Sequence, residues 1–297
     1  LISKGSFKLD NIPNLDFETF SYLILENNQT FLNPIQIGHI EIESDITLTA
    51  NDSLYVSGDF TGNGKLTGSL IVEYNGVRRQ TIKELDYETL VYNNSSPDSS
   101  ILYGSNKIEK LSIKKGDLKL GSHSINKCEI YEESAIIIGG HSPVFKDTLK
   151  ISGKFLINSS NAIPDFYFIY ISPTGIFQNK SSADVTVEKG ITNNGSFIGC
   201  NGTACDYHFI KDSAFISGSD TVFISRLHGK TIINRGILSI EKKIIVDSLI
   251  NESVLVLQID SQNIDGEFIF NSTPNTLVFN KNGDQNIPLT ITTVNNL

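Results

Sequence analysis

Hydrophobic and polar residues alternate in short runs along most of this chain. Examples are Ile40-Glu41-Ile42, Leu118-Lys119-Leu120 and Leu149-Lys150-Ile151. Apolar residues with a period of two indicate strands buried on one side, and helical periodicity is nearly absent. Turn residues separate the runs, as at Lys115-Gly116 and Ser152-Gly153, because Gly tolerates backbone conformations that other residues avoid. The pattern predicts an all-β protein.

A loose repeat indicates how the strands are arranged. Apolar residues, an Asn, a turn and further apolar residues recur around Asn193, Asn234, Asn251 and Asn271, separated by 41, 17 and 20 residues. A period of about 17–21 residues is typical of one coil of a parallel β-solenoid. We therefore predict a parallel β-solenoid (β-helix) with Asn side chains stacked at its corners. An antiparallel sandwich, which also has short strands and frequent turns, is the alternative.

The first residues depart from this pattern. We expect residues 1–35 to form an irregular N-terminal cap or edge segment, because an open terminal coil exposes unpaired strand edges. Residues 36–297 then form the repeat domain, with an insertion or irregular coil within 74–110. The following positions are predicted to face the core: Ile113, Leu120, Ile138, Ile151, Ile157, Phe197, Ile233, Leu238 and Leu255.

Composition bears on location and partners. The net charge is -9 and the pI about 5.1, so no basic surface predicts a nucleic-acid or anionic-lipid partner. The longest apolar runs, such as Ile136-Ile137-Ile138, are far too short for a transmembrane span. Methionine is absent, even at position 1, so we expect a mature product from which a signal peptide has been removed.

Three cysteines add one structural candidate. Cys200 and Cys205 enclose a short loop containing Asn-Gly, which predicts a disulfide in an oxidising compartment; two free thiols beside a turn are the alternative. Cys205 and His208 alone do not make a zinc site, because no second Cys/His pair has ligand spacing. The sequence predicts neither a metal ion nor a cofactor.

Catalytic signatures are missing from the sequence. There is no Asp-Asp pair, no Gly-x-Ser-x-Gly and no phosphate-binding loop. His141 and His228 are interpreted as turn histidines, and Arg226 and Arg235, nine residues apart, are not assigned to one site. We therefore predict no catalytic residues and no enzymatic activity. The alternative is a carbohydrate-active β-helix, a polysaccharide lyase or hydrolase, whose groove is assembled from distant coils.

Asp followed by Ser or Thr and an aliphatic residue occurs repeatedly. The hydroxyl residues at these positions are Ser53, Thr148, Ser213, Thr221 and Ser248. The pattern is similar to the O-glycosylation motif of Bacteroidetes envelope proteins, and this resemblance implies that the five hydroxyls are acceptors. The alternative is that Asp-Ser/Thr forms a turn leading into a strand.

Two longer stretches, residues 53–68 and 184–197, resemble the repetitive surface proteins of gliding and adhesive Bacteroidetes, many of them type IX secretion cargo. The resemblance implies a secreted or cell-surface protein with an adhesive or structural, non-catalytic role. Its expected partners are surface glycans, other envelope proteins or further copies of itself. A phage or virus fibre protein shares the expected architecture and is a further alternative.

Overall fold

The computed structural model describes residues 2–3, 22–32, 34–68, 71–200, 204–259, 261–270 and 276–280. The chain divides into two compact units, Leu1–Ile137 and Ile138–Leu297. Both are built of short strands that pair in parallel with the equivalent strand of the next coil, and together they contain about 13 coils. This arrangement confirms the predicted parallel β-solenoid and excludes the antiparallel sandwich.

The first unit contains fourteen described strands and most of a fifteenth. They are β1 (Ile2–Ser3), β2 (Tyr22–Leu25), β3 (Gln29–Phe31), β4 (Ile35–Ile37), β5 (His39–Ile42), β6 (Thr47–Ala50), β7 (Leu54–Val56), β8 (Phe60–Thr61), β9 (Lys65–Thr67), β10 (Ile71–Tyr74), β11 (Tyr87–Asn93), β12 (Ser100–Leu102), β13 (Lys107–Leu120), β14 (Ser124–Ile130) and β15 (Ser134–Ile138).

The second unit continues with longer strands. They are β16 (Val144–Ile151), β17 (Lys154–Ile157), β18 (Asp165–Ile171), β19 (Ile176–Asn179), β20 (Val185–Asn193), β21 (Ser196–Ile198), β22 (Asp206–Phe209), β23 (Ala214–Ser217), β24 (Thr221–Asn234), β25 (Ile237–Asn251), β26 (Val254–Leu257), β27 (Ile264–Phe270) and β28 (Thr276–Phe279). A 3-10 turn, Ser261–Asn263, is the one helical element among the described residues.

Strand β24 shows how one coil is made. Its segments 221–224, 226–229 and 231–234 pair with three different strands, β21, β22 and β23, so the strand passes along three sides of the coil. The pairing register between β24 and β25 shifts between Ile224 and Arg226, where the chain turns from the first side to the second. Each coil therefore presents three short sheet segments, each with an inner and an outer side.

Coil length stays near the predicted range in most places and exceeds it most clearly at one corner. Asn234 pairs with Asn251, 17 residues later. Thr192 contacts Ser217, 25 residues later, through their hydroxyls at 2.8 Å. The extra residues of this longer coil include the Cys200–Cys205 loop between β21 and β22. The insertion therefore lies at a corner and leaves the strand pairing on either side intact.

Aromatic side chains of the second unit stack inside the coils. Phe155, Phe177 and Phe197 occupy one register position in three successive coils. Their ring centroids are 5.4 Å and 4.7 Å apart and their planes nearly parallel. Phe145 and Phe166 stack likewise at 5.1 Å and meet the first column edge-on. Because all five are almost fully buried, this double column is a large part of the core.

Eight of the nine predicted inward positions are buried, and Ile233 is the exception. Ile232 and Asn234 point inward on either side of it, so alternation places the Ile233 side chain on the outer side. Asn234 is buried because its Nδ2 donates to Asn251 Oδ1 at 2.7 Å and its Oδ1 accepts the Gly236 N–H at 3.2 Å. The polar residue, not the second isoleucine, occupies the inner position.

Among the described Asn residues of the repeat, one pair is stacked as predicted. Asn234 and Asn251 are register partners and form one rung of the expected ladder. Asn193 makes the same type of turn, accepting the Gly195 N–H at 3.1 Å. However, Ile191 pairs with Ile216 and Ile216 with Asn234, so Asn193 lies two residues out of that register. Asn271 is outside the described residues.

The irregular coil expected within 74–110 is present between β10 and β11. Buried Gln80 holds it in place: its Nε2 donates to the Val56 carbonyl at 2.8 Å and its Oε1 accepts from Asn94 Nδ2 at 2.6 Å. The buried hydroxyls of Tyr74 and Tyr87 contact each other at 3.2 Å. These contacts satisfy buried polar side chains in this part of the coil.

The proposed cap segment, 1–35, lies mostly outside the described residues. Within it, Tyr22–Leu25 pairs in parallel with β5, and Gln29–Phe31 pairs with β6. Among the described residues no helix is long and apolar enough to cross a membrane.

The aromatic column generates a stability prediction. Phe177→Ala removes a ring held between Phe155 and Phe197, so we expect the free energy of unfolding to fall by about 3–5 kcal/mol, measured by urea denaturation with circular dichroism. Phe223→Ala is the matched control, because Phe223 is 42% exposed, and it should cost about 1 kcal/mol or less. Equal losses in the two variants would contradict the assignment of the column as the core.

Candidate functional site

Three neighbouring strand segments of the second unit carry charged side chains on their outer side. The segments are β22, residues 226–229 of β24 and residues 243–246 of β25. Side chains alternate along a strand, so buried Tyr207 and Leu227 face the core while their neighbours face outward. We call the outer side of these three segments, together with that of residues 184–188, the polar face.

The pairing register sorts the polar face into two columns. Asp206 pairs with Arg226, and Arg226 with Lys243, so one column carries an acid followed by two bases. His208 pairs with His228 in the next column. Equivalent residues of adjacent parallel strands lie about 4.8 Å apart, so all five side chains lie within reach of one another.

Asp206 is at the centre of these contacts. Its Oδ1 lies 3.4 Å from Arg226 Nη1 and 3.4 Å from His228 Nε2. The imidazole rings of His208 and His228 face each other with centroids 4.8 Å apart and an interplanar angle of 34°. The carboxylate therefore bridges the two columns and holds a guanidinium and an imidazole beside each other.

His228 is the most perturbed group of the site. Burial lowers the pKa of its imidazole below the ordinary value, and the nearby Asp206 carboxylate partly opposes that shift. Its Nε2 is buried and makes no close hydrogen bond among the described residues, since its contact with Asp206 Oδ1 is long at 3.4 Å. A buried polar atom without a partner costs about 1–3 kcal/mol. The lowered pKa favours the neutral imidazole near pH 7, and the buried Nε2 faces the Asp206 carboxylate.

A shallow cavity of about 360 Å³ opens beside these groups. Its lining is polar and mostly basic: Asp206, Arg226, His228, Lys242, Lys243 and Asn263. Arg presents several N–H donors in one plane and Lys a mobile ammonium, so the pair can hold a carboxylate or sulfate of a bound molecule. The cavity is large enough for about one or two sugar-sized groups.

A second cluster adjoins the cavity on the side of the preceding coil. Asp184 Oδ1 accepts the backbone N–H of Asp206 at 2.9 Å. One ligand-type atom each of Asp184, Asp206 and His208 lies within 4.8 Å of the other two. Carboxylate oxygens and an imidazole nitrogen in such proximity are suited to a divalent metal ion.

The structure corrects the sequence interpretation of two of these residues. His228 lies inside strand β24 and not in a turn. Arg226 belongs to the polar face, whereas Arg235 pairs with Glu252 at 2.9 Å, beyond the end of β24. His141 lies in the segment between β15 and β16, away from both histidines of the site in the pairing order.

Sequence reasoning did not detect the group formed by Asp184, Asp206, Arg226 and Lys243. Successive members are 22, 20 and 17 residues apart, and each interval is one coil. The sequence does contain charged residues that recur at about the coil length. To recognise them as one group, the strand register of each coil must be known to within one residue.

Cys200 and Cys205 are disulfide-bonded, with Cα atoms 6.3 Å apart. Cys128 is a free, buried thiol, and burial raises its pKa. Cys205 faces the core while His208 faces outward, which is why these two residues of the sequence do not share a site.

The five hydroxyl residues differ in their surroundings. The Ser53 and Thr148 N–H groups donate to the preceding Asp52 and Asp147 carboxylates at 2.6 Å and 2.7 Å, the turn-type contact expected of Asp-Ser/Thr. Ser248 Oγ donates to Thr231 at 3.2 Å. Thr221 begins β24, and Ser213 is exposed at a turn with a φ of 62°. Ser213 is the most accessible of the five.

The pKa of His228 can be tested by NMR titration of its ring. We expect a value below about 6.5, and a further decrease in Asp206→Asn, because that change removes the carboxylate that favours the charged ring. The unfolded chain then binds a proton more readily than the folded chain, so stability should fall as the pH drops below about 6.5. His228→Gln should remove that part of the pH dependence, whereas His141→Gln, the control, should retain it. A His228 pKa at or above 6.5 would contradict this account.

No protein-family model, curated protein or solved structure matches this chain.

Proposed function

We propose that this protein is a secreted or cell-surface module that binds acidic glycans through the polar face and has an adhesive, non-catalytic role. One observation carries the proposal: Arg226 and Lys243 are stacked on adjacent coils beside a shallow open cavity. Both can contact carboxylates of a polymer that runs along the coils. The chain as a whole is acidic, so this local basic group favours anionic ligands at one place.

Asp206 has a supporting role in this proposal. It is the one carboxylate among the described residues that line the cavity, and it already contacts Arg226 and His228. A carboxylate in contact with a guanidinium and an imidazole orients both groups. Glycoside hydrolysis ordinarily needs two carboxyl groups on opposite sides of one bond. The contacts thus favour binding over hydrolysis.

A location outside the cell is supported by the cysteine pair. Disulfides persist in oxidising compartments, and Cys200–Cys205 closes the loop at the corner that precedes β22. That loop leads directly into the strand that carries Asp206 and His208. A closed loop there limits the conformations available to the start of the strand.

A second candidate function is β-elimination of uronic acid polymers, favoured by the state of His228. A neutral imidazole with an unpartnered nitrogen can accept the proton next to a uronate carboxylate. Arg226 would neutralise that carboxylate, and the glycosidic oxygen would leave as the new C=C bond forms and would take a proton from solvent. Binding and β-elimination would use the same residues. Only the detection of a reaction product therefore distinguishes the two functions.

Binding can be measured with polygalacturonate and, as the neutral control polymer, dextran. We expect binding to polygalacturonate that weakens with salt, and about a tenfold loss of affinity in Arg226→Ala and in Lys243→Ala, since one contact to a charged group contributes about 1.5 kcal/mol or more. Arg235→Ala is the matched control, because Arg235 pairs with Glu252 and does not line the cavity. Equal affinities in all variants would refute the proposed site.

The same samples separate the two candidate functions. Ultraviolet absorbance detects the unsaturated sugar ends that β-elimination releases. No increase over time would support binding alone. An increase that His228→Gln abolishes and Arg235→Ala leaves unchanged would instead establish the lyase.

Mass spectrometry of protein from its native source tests the surface assignment. If the Asp-Ser/Thr motifs are O-glycosylation sites, we expect sugar on Ser213 first, because it is exposed at a turn. Thr148 should be modified less, since its hydroxyl is half-buried and contacts Asp147 at 3.3 Å. Ser213→Ala provides the control for site assignment. Unmodified peptides covering all five positions would contradict the expected modification.

A further inference from the structure

We propose that Asp184, Asp206 and His208 bind a divalent transition metal ion, with zinc the best match. The three residues come from two successive coils, and their ligand-type atoms lie within 4.8 Å of one another. Of the three residues only Asp206 lines the cavity, so metal binding can be tested apart from glycan binding.

The fold brings these side chains together without a sequence motif. Val185 pairs with Tyr207, so Asp184 and Asp206 lie beside each other on adjacent strands. His208 follows Asp206 by two residues and therefore emerges on the same outer side of the sheet. The bond from the Asp206 N–H to Asp184 Oδ1 leaves the second oxygen of Asp184 available to an ion.

A small ion requires the three side chains to move closer together. Zinc binds imidazole nitrogen and carboxylate oxygen at about 2.0–2.2 Å, so two ligands of a tetrahedral ion lie about 3.4 Å apart. The three ligand-type atoms lie within 4.8 Å of one another, so they need to approach by at most about 1.4 Å. All three residues are partly exposed at the surface, so the side chains have room for this movement.

His228 lies beside this cluster, on the coil that follows Asp206. Its buried Nε2 has no hydrogen-bond partner among the described residues and lies 3.4 Å from Asp206 Oδ1. That separation is too long for a good N–H···O bond, so His228 does not compete strongly with an ion for the Asp206 carboxylate.

The chemistry of the donors selects the class of metal. An imidazole combined with carboxylates favours zinc and similar transition metals, whereas calcium and magnesium prefer sites made of oxygen atoms alone. Arg226 pairs with Asp206 from the coil after it, and Asp184 lies on the coil before it. The guanidinium is therefore on the opposite side of Asp206 from the proposed ion, and the two carboxylates offset its charge.

The test uses the full chain, stripped of metal with a chelator and titrated with ZnCl₂ by calorimetry. We expect one ion per chain and a loss of affinity of about 100-fold in Asp184→Asn and in His208→Gln, since even residues behind a ligand affect affinity about 10–100-fold. Asp265→Asn is the matched control. Asp265 is an exposed acid two coils after His228, since His228 pairs with Ile245 and Ile245 pairs with Asp265. The Asp265→Asn variant should bind zinc as the unaltered chain does.

Cobalt substitution supplies a readout of the ligands. Co²⁺ bound to nitrogen and oxygen in a tetrahedral site should give visible absorption bands that Asp184→Asn abolishes. Melting temperatures without metal verify that the variants fold. Absence of zinc binding, or zinc binding that survives both ligand substitutions in folded protein, would overturn the proposal. Zinc binding retained in Arg226→Ala while polygalacturonate binding is lost would show that the two sites act independently.

Discussion

The parallel register between successive coils determines which side chains meet on both sides of every sheet segment. On the inner side it stacks Phe155, Phe177 and Phe197 into one column. On the outer side the same pairing aligns Asp206 with Arg226. Backbone hydrogen bonds fix the register, and burial of the aromatic column makes any slip costly, because a slip of one residue would expose the rings. The core and the polar face therefore have one physical cause.

Much of the fold could be predicted from local pattern alone. Alternation indicates strands, and the repeat around Asn234 and Asn251 indicates a coil length, because both features arise within one or two coils. Ile233 was assigned to the wrong side for a related reason. It follows another isoleucine, and two consecutive apolar residues do not reveal which one faces inward. Asn234 determines which residues of this segment face inward, because its side-chain amide has its hydrogen-bond partner one coil away.

The candidate site could not be found in the same way, because each of its contacts crosses a coil boundary. Asp184 and Asp206 are 22 residues apart, yet Arg226 and Lys243 are 17 apart, and both intervals represent one coil. A fixed repeat length cannot align such residues, since corners of different length separate the strands. The lowered pKa of His228 also depends on neighbours in other coils. Sequence provides the residue types, and the corners determine which of them meet.

The unequal corners also determine where this chain can change length. Removal of Tyr207 alone would break the alternation of this strand, because Asp206 and His208 would become neighbours and point to opposite sides of the sheet. Residues added to the Cys200–Cys205 loop would leave the alternation intact, because the strands on both sides keep their partners. New segments can therefore be inserted at this corner, directly beside the polar face, while the columns of aligned residues on that face stay unchanged. Engineered loops inserted there would give the same scaffold a different set of neighbours for a bound molecule.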